Sequence, residues 1–143
     1  MTFPAPKQGL VIRYAFLWSH EQDAGADEAS KDRPCAIVVA TSLKPGGEIQ
    51  VIVSPITHER PDDPDASIEI SRAVCRSLGL DDGKHWLRLE ELNRFTWPGF
   101  DLRPIPGRGG DVAYGMLLQA LFEALRNGIL ARQANRKMRI QRR

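Results

Sequence analysis

Short apolar runs separated by polar segments make up the first two-thirds of the chain. Residues 9–18 (GLVIRYAFLW) combine aliphatic and aromatic side chains with partial alternation, which predicts a strand. A polar, acidic loop is predicted over residues 19–31, and residues 35–40 then form the near-continuous apolar run that is typical of a buried strand. Pro34 has no backbone N–H to donate, a loss that is tolerated at the start of a strand.

A turn and a second long strand come next. Lys44-Pro45-Gly46-Gly47 is a turn by composition, because glycine readily takes a positive φ. Residues 48–56 (EIQVIVSPI) are predicted to return beside the preceding strand as a hairpin. The prolines and acids of residues 60–65 interrupt any ladder and predict a further loop.

Shorter elements follow this hairpin. Residues 67–70 and 86–89 alternate between apolar and polar positions, which predicts two short strands. Between them, Ser71 is placed to cap a brief helix, and Gly79 is placed to end it. Residues 93–106 contain three prolines, one glycine and three aromatic residues, and are interpreted as structured loop and strand edge.

A helical period replaces the strand period after Gly109-Gly110. Apolar residues recur at helical spacing, at Val112, Met116, Leu117, Ala120, Leu121, Ala124 and Leu125. Asp111 is available as the N-cap, and either Gly128 ends the helix or the basic tail continues it. This order predicts a mainly β fold with a C-terminal α-helix, in which the helix buries its stripe against a small β-barrel.

Composition places these elements in one ordinary globular domain, residues 1–143. Of the 143 residues, 42% are apolar and 27% are charged, and no run is apolar enough for a membrane-spanning helix. The N-terminal residues lack the apolar core of a signal peptide, so a cytoplasmic location is expected. Cys35 and Cys75 each lie in an apolar stretch and are interpreted as buried thiols.

The net charge of +2 is unevenly distributed along the chain. Residues 126–143 contain seven basic side chains and no acidic one. A basic tail or helix end of this kind favours a phosphate backbone or an acidic protein partner. The alternative is a solvated or frayed C-terminus, and the charge carries no sequence specificity in either case.

Polar residues suited to catalysis occur in three clusters. They are His20-Glu21-Gln22 with Arg33-Pro34, Ser54-Pro55-Ile56-Thr57-His58, and residues 91–101. The glycine-rich residues 107–110 lack the lysine and the preceding strand of a phosphate-binding loop, so they are interpreted as a connector. The histidines and cysteines lack the spacing of zinc ligands, and neither a metal nor another cofactor is predicted.

The order of these motifs resembles the MazF/PemK family of toxin endoribonucleases. The shared elements are Gly9-Leu10-Val11, Glu21-Gln22, Arg33-Pro34 with the aliphatic strand after it, Pro55-Ile56-Thr57 and Leu78-Gly79-Leu80. The resemblance spans residues 9–101, and the C-terminal helix agrees in place. It implies an SH3-like small β-barrel of the MazF/CcdB type, a homodimer, and metal-independent cleavage of single-stranded RNA that a cognate acidic antitoxin neutralises.

The family's reaction is attack of the ribose 2′-OH on the adjacent phosphate, which needs a base, an acid and a cation. By resemblance, Arg33 is the catalytic arginine, Thr57 orients the phosphate, and Glu21 is the base or an RNA contact. His58 takes a position where the family often has serine, and an imidazole can transfer protons near neutral pH. The structural alternatives are an ion-pair partner for Arg33, a strand residue for Thr57 and an exposed histidine for His58.

Further residues are predicted to contact RNA, namely His20, Lys31, Asn93, Arg94 and Trp97. The family usually carries Asp-Gln followed by an arginine in the third cluster, and here Asn93 takes the glutamine's place. Trp97 can stack on a base, or it can pack its loop onto the barrel. His85 is interpreted as loop surface. The altered third cluster leaves open a non-catalytic binding or inhibitor module on the same barrel. The basic tail leaves open a structural partner or an adaptor that uses it on nucleic acid.

Overall fold

Strands and a C-terminal helix make up most of the chain. The computed structural model describes residues 3–23, 25, 31–60 and 62–143. The strands in this part are β1 (Leu10–Tyr14), β2 (Arg33–Ser42), β3 (Ile49–Thr57), β4 (Ser67–Ile70), β5 (His85–Arg88), β6 (Glu91–Thr96), β7 (Ala113–Met116) and β8 (Arg139–Arg142). The helices are α1 (Ser19–Asp23), α2 (Arg72–Leu78) and α3 (Gln119–Ala134), with a 3-10 turn at Pro64–Ala66. Among these described helices, none is long and apolar enough to cross a membrane.

The strands form one curled sheet. β1, β2 and β3 pair antiparallel in sequence, and β7 pairs with the outer side of β1. Beyond β3 the sheet divides, since the last residues of β3 pair with β5 while its earlier residues pair with β6. β4 pairs with β5, and β8 adds to β6 as a parallel strand. The predicted class, mainly β with a C-terminal α-helix, is confirmed, and the sheet is a half-barrel.

β1 and the first part of β2 are buried on both faces of the sheet, which explains their continuous apolar runs. Successive side chains of a strand point to opposite faces. Val11 and Ala36 accordingly pack into a core that includes α2 and α3. Ile12, Tyr14 and Ile37 pack into a second core on the other face.

The predicted caps of α2 and the turn before β3 are confirmed. The Ser71 hydroxyl accepts a hydrogen bond from the Val74 N–H (3.3 Å), as expected of an N-cap. Gly79 ends α2 with a φ of +70°, in the left-handed region where glycine carries no penalty. In the turn between β2 and β3, the Gly47 N–H donates to Lys44 O (3.0 Å).

A short helix occupies the start of the first predicted loop. Residues 19–31 were expected to be loop, and the first five form the short helix α1. Residues 24 and 26–30 lie outside the described residues, as does Pro61 of the loop over residues 60–65. Met1 and Thr2, where a signal peptide would begin, also lie outside them.

The C-terminal helix begins later than predicted. Residues 113–116, within the expected helical stripe, form β7. α3 has Leu118 as its N-cap, so Asp111 does not cap it. The reason lies in β1, whose outer edge pairs with β7 through Val11 and Gly115. Gly115 has a φ of +141°, which no α-helix contains. A stripe that fits a helical period was here divided between a strand and a helix.

Residues 126–143 are held within the fold. α3 includes the first half of this segment and β8 its end. Arg132 Nη1 lies 3.3 Å from Asp63 Oδ2, and Arg143 Nη2 lies 3.0 Å from Asp101 Oδ1. The interpretation as a helix end therefore applies to its first half, and the interpretation as a frayed end is wrong for β8.

Candidate functional site

Two adjoining clefts open where β2 begins and β3 ends. The larger has a volume of about 550 Å³ and the smaller about 420 Å³. Four residues line both clefts, Lys31, Arg33, Thr57 and His58. Strand pairing brings them together, because Arg33 and Thr57 each lie two residues beyond the paired positions Cys35 and Pro55. Three predicted catalytic residues and one predicted RNA contact thus share one wall.

Trp18 positions two arginines at the smaller cleft. The Arg33 Cζ lies 5.1 Å from the centroid of the Trp18 ring, and the Arg88 Cζ lies 5.4 Å from it. A guanidinium over an aromatic face is held by a cation–π interaction. Both arginines line the smaller cleft with Trp18. Arg88 also forms an ion pair with Glu90, so its charge is partly matched within the protein.

Arg33 is a partly desolvated cation. Its Nε is buried and has no hydrogen-bond partner among the described residues. Burial lowers the pKa of the Arg33 guanidinium, while the carboxylates of Glu21 and Glu59 act in the opposite direction. An arginine remains charged despite such a shift. The side chain therefore presents a positive charge whose hydrogen-bonding capacity is not fully used by the protein.

Thr57 and His58 contribute a hydroxyl and an imidazole. Thr57 is 5% exposed, and its Oγ1 donates to Glu59 O (3.0 Å), so it reaches a phosphate as a donor only by leaving that carbonyl. His58 is about half exposed, with Nδ1 3.0 Å from Lys84 O and Nε2 3.3 Å from Asp81 Oδ2. The imidazole is thus accessible from the clefts but already engaged on both nitrogens.

Glu21 lies beside the clefts without lining either in the described structure. Its Oε1 accepts a hydrogen bond from the Trp18 N–H (3.1 Å). This bond satisfies a backbone donor at the start of α1 and fixes the chain next to the Trp18 ring. Glu21 therefore positions the tryptophan on which Arg33 rests. The side chain of Gln22, its partner in the Glu-Gln motif, lies outside the described residues.

Two of the predicted RNA contacts lie at the clefts. Lys31 is exposed and lines both of them. His20 is exposed, lines the smaller cleft, and stacks beside Trp18 with ring centroids 6.5 Å apart. Together with Arg33, these residues place basic and aromatic side chains on one continuous surface.

No protein-family model, curated protein or solved structure matches this chain. The chemistry of the clefts is therefore inferred from the side chains that line them. Arg33 and Lys31 supply positive charge, and Trp18 supplies an aromatic surface. Arginine binds phosphate oxygens through its planar fork, and partial burial strengthens that interaction. The surface is therefore suited to hold a phosphodiester next to a base.

Three predicted RNA contacts lie elsewhere. Asn93 is fully buried and bonds to the backbone of Leu17, so its prediction as an RNA contact is wrong. Arg94 lines a separate groove together with Arg142. Trp97 packs against Phe95, with ring centroids 6.1 Å apart, and joins the second core. Each follows from β6, whose pairing with β3 turns this segment away from the start of β2.

Two further residues of the larger cleft, Asp81 and His85, were missed. His85 is 2% exposed in β5, so its interpretation as loop surface is wrong. Partial burial tends to raise the pKa of the Asp81 carboxyl, but hydrogen bonds with His85 and His58 bring that pKa below its usual value. The register of β3 and β5 is the signal that would have found His85, since Thr57 pairs with Trp86 and the next positions are both histidine.

Proposed function

We propose that this protein is a MazF/PemK-like cytoplasmic endoribonuclease, with the family's SH3-like barrel, that cleaves single-stranded RNA without a metal. The observation that carries the proposal is Arg33, a partly desolvated cation at the wall shared by both clefts. It occupies the position of the family's catalytic arginine in the Arg33-Pro34 motif. The half-barrel with α3 packed against it is compatible with the family's fold.

The proposed reaction is an intramolecular transfer at phosphorus. The ribose 2′-oxygen forms a bond to phosphorus while the bond to the 5′-oxygen breaks. The 2′-OH proton goes to a base and an acid protonates the 5′-oxygen, which leaves a cyclic phosphate and a 5′-OH end. The phosphorane gathers negative charge, which the Arg33 guanidinium stabilises. Glu21 and, with its Nε2 free of metal, His58 are the proposed proton-transfer groups, but the proposal rests on Arg33 and not on either of them.

The test is cleavage of a long, unstructured RNA by the purified protein in EDTA, followed by mapping of the fragment ends. The wild-type protein is expected to cut recurrently and leave 5′-OH ends. Arg33→Ala is expected to lower the cleavage rate about 100- to 1000-fold, as is typical when one donor to the transition state is removed. An Arg33→Ala protein that cuts at the wild-type rate would falsify the proposal.

Arg94→Ala is the matched control for this test. Arg94 is also a strand arginine, but it lines a groove distinct from both clefts. Its removal changes the net charge by the same amount and is expected to leave the cleavage rate unchanged. Equal losses in the two variants would assign the effect to general electrostatics. Circular dichroism and thermal unfolding of both variants exclude loss of the fold.

The proposed protein partner is an acidic antitoxin that covers the clefts. Arg13 and Lys31 add to the charge of Arg33 along the larger cleft. An acidic, partly disordered segment can fold onto such a surface, because its carboxylates pair with the basic side chains there. Binding of the antitoxin is expected to weaken in Arg33→Ala and to exclude RNA. The protein is further proposed to act as a homodimer.

A non-catalytic binding or inhibitor module is the second candidate. It is favoured by Asn93, which the family pattern assigns to RNA contact but which is fully buried in this chain. Intact RNA after incubation with a folded protein, combined with toxicity in cells, would support this candidate. Transcripts cut at one recurrent motif would exclude it.

A further inference from the structure

Two imidazoles and a carboxylate meet at the larger cleft. His58 Nε2 lies 3.3 Å from Asp81 Oδ2, and His85 Nε2 lies 3.1 Å from Asp81 Oδ1. One donor atom from each of the three residues lies within 4.8 Å of the others. All three residues line the cleft. Nitrogen and oxygen atoms at these separations have the geometry of a metal-ligand set.

The fold places these atoms together through strand register. β3 and β5 pair at Thr57–Trp86, so His58 and His85 are opposite one another at the next position. Their ring centroids are 4.2 Å apart. Asp81 comes from the turn before β5, in which Gly83 has a φ of +108°. A Cβ on Gly83 would lie 3.6 Å from His58 Nδ1, so the turn passes close to the ring.

The hydrogen bonds of His58 leave the lone pair of its Nε2 facing a carboxylate oxygen. Its Nδ1 faces Lys84 O, which can only accept, so Nδ1 carries the ring proton. A neutral His58 then presents an Nε2 lone pair to Asp81 Oδ2, another acceptor. A metal-bound histidine has this arrangement, because its other ring nitrogen commonly donates to a backbone carbonyl.

His85 has a similar environment. Its Nδ1 lies 3.4 Å from Cys75 Sγ, whose own hydrogen can reach Ile70 O at 3.8 Å. In the tautomer with the proton on Nδ1, the sulfur accepts from Nδ1, and Nε2 presents a lone pair towards Asp81. One divalent ion can reach both rings and the carboxylate, since a donor atom of each lies within 4.8 Å of the others.

We propose that His58, Asp81 and His85 bind a divalent transition-metal ion of the zinc class. The ligands are the two Nε2 atoms and one Asp81 oxygen. Ligand atoms about 2.0–2.1 Å from a tetrahedral zinc ion are about 3.3 Å apart. The two nitrogen–oxygen distances here, each to a different Asp81 oxygen, are 3.3 and 3.1 Å. Imidazole favours zinc, copper and nickel over magnesium or calcium. Three protein ligands leave a coordination position that faces the larger cleft, and the proposal does not depend on RNA cleavage.

The test is titration of chelator-stripped protein with Zn²⁺ alone, followed by calorimetry and by competition with a chromophoric chelator. The wild-type protein is expected to bind one ion per chain, and Mg²⁺ is expected not to compete. His58→Ala and Asp81→Ala are each expected to abolish stoichiometric binding. Both residues are accessible, so these variants are expected to fold, whereas removal of the buried His85 endangers the fold.

The matched controls are His20→Ala and Asp82→Ala, an exposed histidine and an exposed acid outside the ligand set. Both are expected to bind Zn²⁺ like the wild type. Co²⁺ is expected to give the visible absorption of a tetrahedral site in the controls and not in His58→Ala. Absence of stoichiometric Zn²⁺ binding would overturn the proposal, as would binding that persists in both ligand variants or that is lost only in Cys75→Ser.

Discussion

Asn93 and Arg33 are both polar strand residues, and they differ in how far the protein satisfies them. Asn93 exposes none of its side chain and bonds to the Leu17 N–H at 2.9 Å and to the Leu17 carbonyl at 2.8 Å. Arg33 is half-buried, and its Nε has no partner among the described residues. A buried amide with its hydrogen bonds complete supports the fold, whereas a partly exposed guanidinium on the wall of both clefts can meet a ligand.

Asn93→Ala is therefore expected to lower the free energy of unfolding by about 3 kcal/mol, because the buried N–H and carbonyl of Leu17 lose their partners. The measurement is urea unfolding followed by tryptophan fluorescence. Arg94→Ala, at the next and more exposed position, is expected to change the stability by less than about 0.5 kcal/mol. Similar stabilities for Asn93→Ala and the wild type would contradict a structural role.

Elements with local signals were predicted from the sequence, and elements that depend on a distant partner were not. The caps of α2 at Ser71 and Gly79 lie within the helix's own sequence, and they were found. β8 is short and basic, and it is a strand only because β6 pairs with it. The residues of the candidate site show the same difference between those that the sequence predicted and those that it did not. Arg33 and Thr57 were singled out by a motif resemblance, whereas the approach of His85 to the cleft depends on a register that no local pattern encodes.

Arg143→Ala is expected to destabilise the protein by about 2–4 kcal/mol, because its guanidinium ties the C-terminal end to the rest of the fold. The side chain is 6% exposed, with Nη1 donating to Ala15 O (2.8 Å) and Nη2 pairing with Asp101. Arg142→Ala is the control, because the neighbouring arginine is exposed. Thermal and urea unfolding of the two variants measure the difference. Equal, small effects would show that the end of β8 is dispensable.

At the scale of the whole molecule, β7 is one of the open strand edges among the described strands, and exposed apolar residues lie beside it. Among the described strands, β7 ends the main path of the sheet and pairs only with β1. Met116 in β7 is 51% exposed, and Leu118 just after it is 60% exposed. An open strand edge with neighbouring apolar side chains is a surface to which a second chain can add. This edge is the surface on which the proposed homodimer is expected to form.

The double variant Met116→Asp/Leu118→Asp is accordingly expected to convert a dimer into a monomer, because four buried carboxylates would face one another across a two-fold interface. Size-exclusion chromatography with light scattering measures the mass. Leu43→Asp is the control, since Leu43 is 93% exposed on the turn between β2 and β3. A monomeric wild type, or a dimer that persists in the double variant, would contradict this interface. Lys31, Arg33, Thr57 and His58 line the clefts within one chain, so a folded monomeric variant that still cuts RNA would show that dimerisation is separable from catalysis.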